Sequence, residues 1–262
     1  MSSPQTYIAD SLSKITLDPG QPRLTWYGAD FERIELSGAV LNNWVNKTTN
    51  LLVEEFDCEP GVEVCLALPA HWRSIIWALA ALRTGSTLTL GEPSATATVL
   101  VTTDPASGSA VGRSKRTDLV AVTLAALARK YDGKLPAGAI DAASAVMTYG
   151  DAIWQTLPTD PSELAIAHGD TQITFEHLST WAAPSIAKRV LIRCPQVAPD
   201  LSAPQADEAN AQALLSVVQQ CISIWAAGGS VVLLGAQMAA ELADDPQRLE
   251  RLIASEQVTS GN

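Results

Sequence analysis

Few side chains in this sequence stand at spacings that do chemistry. The metalloprotease pattern HExxH, the nucleophile elbow GxSxG and the dinucleotide pattern GxGxxG are all missing. The three histidines, His71, His168 and His177, show no ligand spacing with a cysteine or a cluster of acids, so no metal site is expected. His71 opens a helical stretch and reads as structural. His168 precedes Gly169 in a turn, where function often sits, but a solvated turn histidine accounts for it. His177 falls on an amphipathic stretch and is most simply a surface residue. One segment imitates a phosphate loop: SGSAVGRSK, Ser107 to Lys115, whose small residues, two glycines and lysine could cradle phosphates through backbone N–H groups. It fails the P-loop pattern, because Gly112 follows Gly108 by four residues where five are needed, and Lys115 is displaced. A polar connection between strands has the same composition, and that is the expectation.

The bulk composition supports a packed core and excludes several classes. The chain has 262 residues, 47% hydrophobic and 17% charged, enough for one large domain or two small ones. That composition is not disordered, fibrous or low in complexity. The net charge is −11, which disfavours a nucleic-acid face. Residues 1–131 carry 11 basic and 13 acidic side chains, and residues 132–262 carry 6 and 15, so the second half holds most of the excess. No apolar run approaches the roughly 20 residues needed to span a bilayer. The opening MSSPQTYIADSL lacks the basic and apolar regions of a secretory signal. Cys58, Cys65, Cys194 and Cys221 form neither a disulfide framework nor a CxxC pattern, which suits a reducing cytoplasm.

Patterning predicts strands alternating with helices. Residues 24–36 read as a hairpin, and Ser37 caps a helix whose apolar face carries Val40, Leu41, Trp44, Val45, Thr48, Leu51 and Leu52. Residues 62–68 form a strand. Residues 71–84 are apolar almost all round, as in a helix held between two layers, and Gly85 ends it. Strands follow at 86–90, 98–103 and 119–124. The prolines at 136, 158 and 161 mark a hinge with a short Ala-rich helix inside it. Then come strands at 164–167 and 172–175 around Gly169-Asp170, a helix near 176–187, and a strand at 189–193. After a proline-rich stretch at 195–206, a helix at 209–227 leads to a strand at 230–234 and a last helix with Pro246 in its first turn. The seven tryptophans mostly fall at helix-core spacing, and Trp26-Tyr27 suits a lobe interface or a ligand equally. The expected fold is α/β, in two lobes of mainly parallel sheet flanked by helices. The expected division is a first lobe at 1–135, a hinge at 136–162 and a second lobe at 163–262.

The order of segments resembles the adenylate-forming superfamily of acyl-CoA and aryl ligases. LTWYGADFERIELS followed by NNWVNKTTNLL is similar to that family's opening hairpin and helix. PGVEVCLALPAHWRSIIWALAALRTGSTLTLGEP resembles its next block, with Gly85 at the family glycine and Pro93 at the proline. RVLIRCPQVAPD, GGSVVLLG and DDPQRLERLIASEQVT look like a later passage. The match covers nearly the whole chain, and the order of its blocks carries it.

The departures from the family shape the functional expectation. The family's Ser/Thr/Gly-rich loop ending in Pro-Lys wraps the phosphates of ATP. By order it falls at residues 164–178, where this chain reads LAIAHGDTQITFEHL and has no lysine. His168, Gly169, Asp170 and Thr171 occupy its place as a relic, with Gly169 and Thr171 the plausible survivors. The family pattern is matched as far as Val258-Thr259, which by the resemblance lies before the adenine segment, the magnesium acid, the ribose aspartate and the C-terminal lysine, so these are expected to be lacking. The expectation is a short, degenerate relative with no catalytic residue, no cofactor and no adenylation activity, acting as a binding or interaction module. A nucleotide- or acyl-binding half-enzyme completed by another subunit, and a structural partner without ligand, stand as alternatives. Expected partners are a second copy or another protein, with neither nucleic acid nor membrane.

Overall fold

The computed structural model describes residues 7–29, 32–110, 117–198 and 202–261. The helix α1 (Tyr7–Ile15) leads into a hairpin of β1 (Pro22–Tyr27) and β2 (Arg33–Ser37), and α2 (Gly38–Phe56) follows directly. The Ser37 side chain accepts from the Val40 N–H and caps α2, as its sequence predicts. Next come β3 (Glu63–Ala67), α3 (Trp72–Thr84), β4 (Thr87–Leu90), β5 (Val99–Thr102), α4 (Pro105–Ala110) and β6 (Asp118–Ala121). Gly85 closes α3 at φ +86°, and a Cβ there would meet Thr159 Oγ1 at 2.4 Å, so both conformation and space require glycine.

The second half adds β7 (Ile140–Asp141), α5 (Ala142–Ala145), β8 (Leu164–His168), β9 (Thr171–Thr174), α6 (Leu178–Trp181) and β10 (Arg189–Arg193). It ends with α7 (Ala203–Ala226), β11 (Ser230–Leu234), α8 (Ala236–Ala243), α9 (Pro246–Ser255) and β12 (Ser260–Gly261). Two of the expected helices differ in extent. The one expected over 176–187 is only a 3₁₀ turn and α6, because Pro184 disfavours helical backbone at the residue before it. Conversely, α7 begins at residue 203 within the proline-rich stretch. Pro204 lies in its first turn, where no N–H is needed, and Gln205 Oε1 accepts from the Ser202 N–H at 3.1 Å. The helices α1, α4 and α8 have no counterpart among the expected elements.

The strands form two mostly parallel sheets. The first has the order β12-β10-β11-β1-β2, and the second β7-β6-β5-β3-β4-β8-β9. Only the β1–β2 and β8–β9 hairpins are antiparallel, each at an edge. Strand membership is interleaved instead of following the expected division at 136–162. Strands β1 and β2 join the C-terminal strands through the β1–β11 pairing, and β8 and β9 join the N-terminal sheet through β4–β8. Both sheets bury a face against one set of helices. A single apolar cluster takes Leu24, Trp26, Val231 and Leu233 from the first sheet and Val64, Leu66, Val99 and Val101 from the second. Leu52 of α2, Leu79 of α3 and Trp225 of α7 fill the space between. As its composition predicts, α3 is buried nearly all round, whereas Val40 in the first turn of α2 is exposed. Among the described residues no helix is long and apolar enough to cross a membrane.

Trp225 is 1% exposed, and its Nε1 donates to the Arg23 carbonyl at 3.0 Å, tying α7 to β1. Trp225→Ala opens a cavity in the shared layer and strands that carbonyl. The expected loss is about 3–5 kcal/mol, read as a lowered urea midpoint at unchanged slope.

Candidate functional site

Open α/β sheets present ligands beyond the carboxyl ends of their strands, where successive connections leave in opposite directions. In the seven-stranded sheet that point lies between β3 and β5, since the chain runs from β3 to β4 on one side and returns to β5 on the other. The amino end of α3 sits beside it. There His71 is 6% exposed, and its Nδ1 accepts from the Arg73 N–H at 3.1 Å, so it serves as the helix cap. Its ring meets Trp26 edge-on at 4.4 Å between centroids. Burial, with the nearby Arg73 charge adding, pushes His71 down to about 3, so it stays neutral. The structural role expected of it is what its contacts provide. A hollow of about 90 Å³ at the switch point is lined by Leu68, Pro69, Thr103, Asp207 and Asn210, with no cation in its wall. That is poor lodging for a polyphosphate.

The segment expected to hold a relic phosphate loop is a tight hairpin. His168 ends β8 and pairs across the ladder with Thr171 at the start of β9, so only Gly169 and Asp170 form the turn, with Gly169 at φ +53°. Asp170 points its charge into solvent. His168, expected to be solvated, is buried at 7% exposure because its side chain turns under the N-terminal part of α7. Its Nε2 lies 3.3 Å from Glu208 Oε1, within ion-pair reach but without hydrogen-bond alignment. His177 is exposed, and its Nδ1 shares a hydrogen bond with Thr174 Oγ1 at 2.7 Å. In the phosphate-loop lookalike, Ser107 lies in α4 and donates to Asp104, while Gly112 and Lys115 lie outside the described residues. Among the described residues no three His, Cys, Asp or Glu side chains converge to hold a metal. All four cysteines are buried free thiols, and burial raises Cys58, Cys65 and Cys194 to about 12, which keeps them protonated.

Two charged clusters escaped the sequence. Glu256, just after α9, is 7% exposed and accepts from Tyr27 Oη at 2.5 Å, Arg33 Nε at 2.9 Å and Arg189 Nη2 at 2.6 Å. Although burial opposes its charge, these donors hold the carboxyl at about 2. It borders a polar cleft of about 630 Å³ at the amino ends of β1, β10 and β11, away from the carboxyl edge. Its partners come from separate parts of the chain, so no local pattern announces it. The other cluster is Arg73, 8% exposed, whose guanidinium lies 4.4 Å from the Trp72 ring and 5.4 Å from that of Trp44. Its Nη2 donates to the Ala126 carbonyl at 3.0 Å and more weakly to Ala125 at 3.4 Å, while its buried Nε has no hydrogen-bond partner. The signal was present: an arginine in the first turn of a largely apolar helix.

No family model matches the chain. It is 31% identical over 266 aligned positions to a TIGR03089 family protein of Mycobacterium tuberculosis, covering 99% of each chain. Among solved structures it resembles an acyl-CoA synthetase of Brucella canis, at TM-score 0.69 and 18% identity, over 94% of this chain and 46% of that one. An amide bond synthetase of Marinactinospora thermotolerans aligns at TM-score 0.62 and 16% identity, over 97% and 47%. An acetoacetyl-CoA synthetase of Streptomyces lividans aligns at 0.61 and 16%, over 88% and 38%. The chain therefore spans about half the length, or less, of the solved structures it matches, and shares their fold over that stretch. The expected resemblance to adenylate-forming enzymes is met at the level of fold.

His71 also sets a pH dependence. Its ordinary value of 6.5 applies in the unfolded chain, and the folded value is about 3. The unfolded chain therefore takes up the proton first, and stability that is full above pH 6.5 falls as the pH drops toward 3. His71→Asn keeps a capping side chain and removes the titration. Between pH 7 and pH 5 the wild type is expected to lose up to about 2 kcal/mol relative to that variant, measured by urea unfolding at both values.

Proposed function

Since the chain belongs to the TIGR03089 family and carries the fold of about half of an adenylate-forming enzyme, we propose that it is a binding or interaction module that makes no acyl-adenylates. The observation that carries this reading is the hairpin at residues 168–171. Adenylation needs a cradle for the pyrophosphate leaving group and a cation to stabilise the charge that develops there. A two-residue turn offers too few free N–H groups to form one, because His168 and Thr171 are already paired in the ladder. Asp170 adds an opposing charge. At about 4 Å two like charges repel by about 4 kcal/mol at an effective dielectric near 20.

The module acts in the cytoplasm and through a protein partner, a second copy of itself in the first instance. Two features support this: the cysteines are unpaired, and large apolar side chains such as Leu17, Leu127 and Trp154 are more than four-fifths exposed. The direct test of the central claim is ATP–pyrophosphate exchange with a panel of carboxylic acids. No exchange above the protein-free rate is expected. Exchange that requires both ATP and an acid, and that disappears in Thr171→Ala, would restore a working enzyme.

A further inference from the structure

We propose that the cleft between α2, α3 and the β6–β7 connection binds a small amphiphilic organic anion, its head on Arg73 and its apolar body along Trp44, Leu127 and Met147. The cleft has a volume of about 450 Å³ and is lined by Trp44, Arg73, Leu127, Arg129, Ser144 and Met147, with alanines between them. That volume suits a small ligand, since such sites run from about 300 to 1,000 Å³. A smaller recess below shares Trp44 and Arg73 and is floored by Ile76, Val122 and Val146.

Charge selects the sign of the ligand. The chain carries a net charge of −11, yet this cleft has two arginines in its wall and no acidic side chain. Arg73 is nine-tenths buried, and among the described residues no carboxylate lies within ion-pair distance of it. Glu32 is the nearest acid by its effect, but its oxygens are taken by Trp26 Nε1 at 3.0 Å and the Ala126 N–H at 2.9 Å. A buried cation with only carbonyls and ring faces around it is incompletely compensated. Its unpartnered Nε marks the same shortfall. The indoles of Trp72 and Trp44 hold the guanidinium plane, which favours a flat or branched oxyanion over a diffuse dipole.

The walls select the rest of the molecule. Leu127 is 91% exposed and Met147 57% exposed at the mouth, so an apolar body would cover surface that water now meets. Arg129 stands at the rim, where it can draw an anion in. The cleft is far from the 168–171 turn: β6 and β8 are four strand steps apart in the sheet, about 19 Å at the usual spacing. The shared chemistry of the ligand is a compact oxyanion (carboxylate, sulfonate or phosphate ester) on an apolar chain or ring. Such a site rests on the reading of the chain as a binding module, because it gives that module something to bind.

Calorimetric titration of the whole chain with octanoate, octanesulfonate and octyl phosphate tests this, with octanol and octyltrimethylammonium as neutral and cationic controls. At least one anion is expected to bind about tenfold or more tightly than either control, and the tightest head group identifies the class. Arg73→Met keeps the apolar stem and is expected to bring the anions to the level of octanol. Met147→Trp, at a position exposed enough to keep the fold, is expected to fill the cleft and block every ligand. Should the Arg73 variant not fold, the Met147 variant decides. No binding, equal binding of anions and octanol, or anion binding unchanged by Met147→Trp would overturn the proposal. Pyrophosphate exchange does not report on this cleft. Exchange activity would therefore sink the binding-module reading while leaving the calorimetry standing, and failed titrations would do the reverse.

Discussion

Everything in this molecule is arranged around one layer of helices that must be apolar on two opposite sides. Helices α2, α3 and α7 pack between the two sheets and contribute to one continuous core with both. A helix wholly inside that layer has no wet face, so α3 buries its whole girth, from Trp72 to Thr84, except for a partly buried Arg83. The constraint passes to the strands: residues facing the layer are mainly Leu, Val, Ile and Trp, while the outer face of the first sheet is closed separately by α8 and α9 over Val232 and Leu234. Polar chemistry is left with the ends of the layer and the edges of the sheets. The contact of Trp26 with His71 marks such an end, joining a strand of one sheet to the cap of the helix beneath the other.

Two buried charges show how differently such ends can be finished. Glu256 receives two guanidinium groups and a phenol, so its charge is answered on each side. A carboxylate satisfied in that way fastens elements together; here it locks the end of α9 to β1, β2 and β10. Removing one partner would leave the others stranded, which is the usual behaviour of a structural ion pair. Arg73 has no such answer. It is held by two rings and two carbonyls, and its wall opens on a cleft. The asymmetry is a difference in what the fold supplies: the first charge is complete within the chain, and the second is complete only with something added.

What the sequence made legible follows the range of the interaction responsible. The Ser37 cap, the closing Gly85, the strand runs and the apolar girth of α3 are written within a few residues and appear where expected. Local rules also account for the differences, since Pro184 stops one helix and Pro204 starts another. Strand neighbours are not local. Nothing near residues 22–27 announces that they pair with 230–234, and the interleaving of the two sheets follows from such pairings. The same limit hid the site residues. His168 reads as a turn residue from its neighbour Gly169, and only the placement of α7 over it explains its burial. Arg73 could be picked out as an anomaly in an apolar helix, but Trp44 and the Ala125 and Ala126 carbonyls reach it from other parts of the chain.

The antiparallel edge of the second sheet carries a chemical consequence of its own. A loop that wraps phosphates needs backbone N–H groups left unpaired and free to turn toward one point. A two-residue hairpin does the opposite, because its register commits the flanking residues to each other. In this chain His168 and Thr171 are such a pair, and Ala167 with Gln172 and Ile166 with Ile173 extend the ladder away from the turn. Lengthening the turn alone would free few donors, since those pairs would still be made. Forming such a cradle here would require dissolving part of β8 and β9, and with it the edge that covers β4. The pairing of that edge and a cradle of free N–H groups therefore draw on the same backbone groups, and between residues 166 and 173 those groups are committed to the sheet.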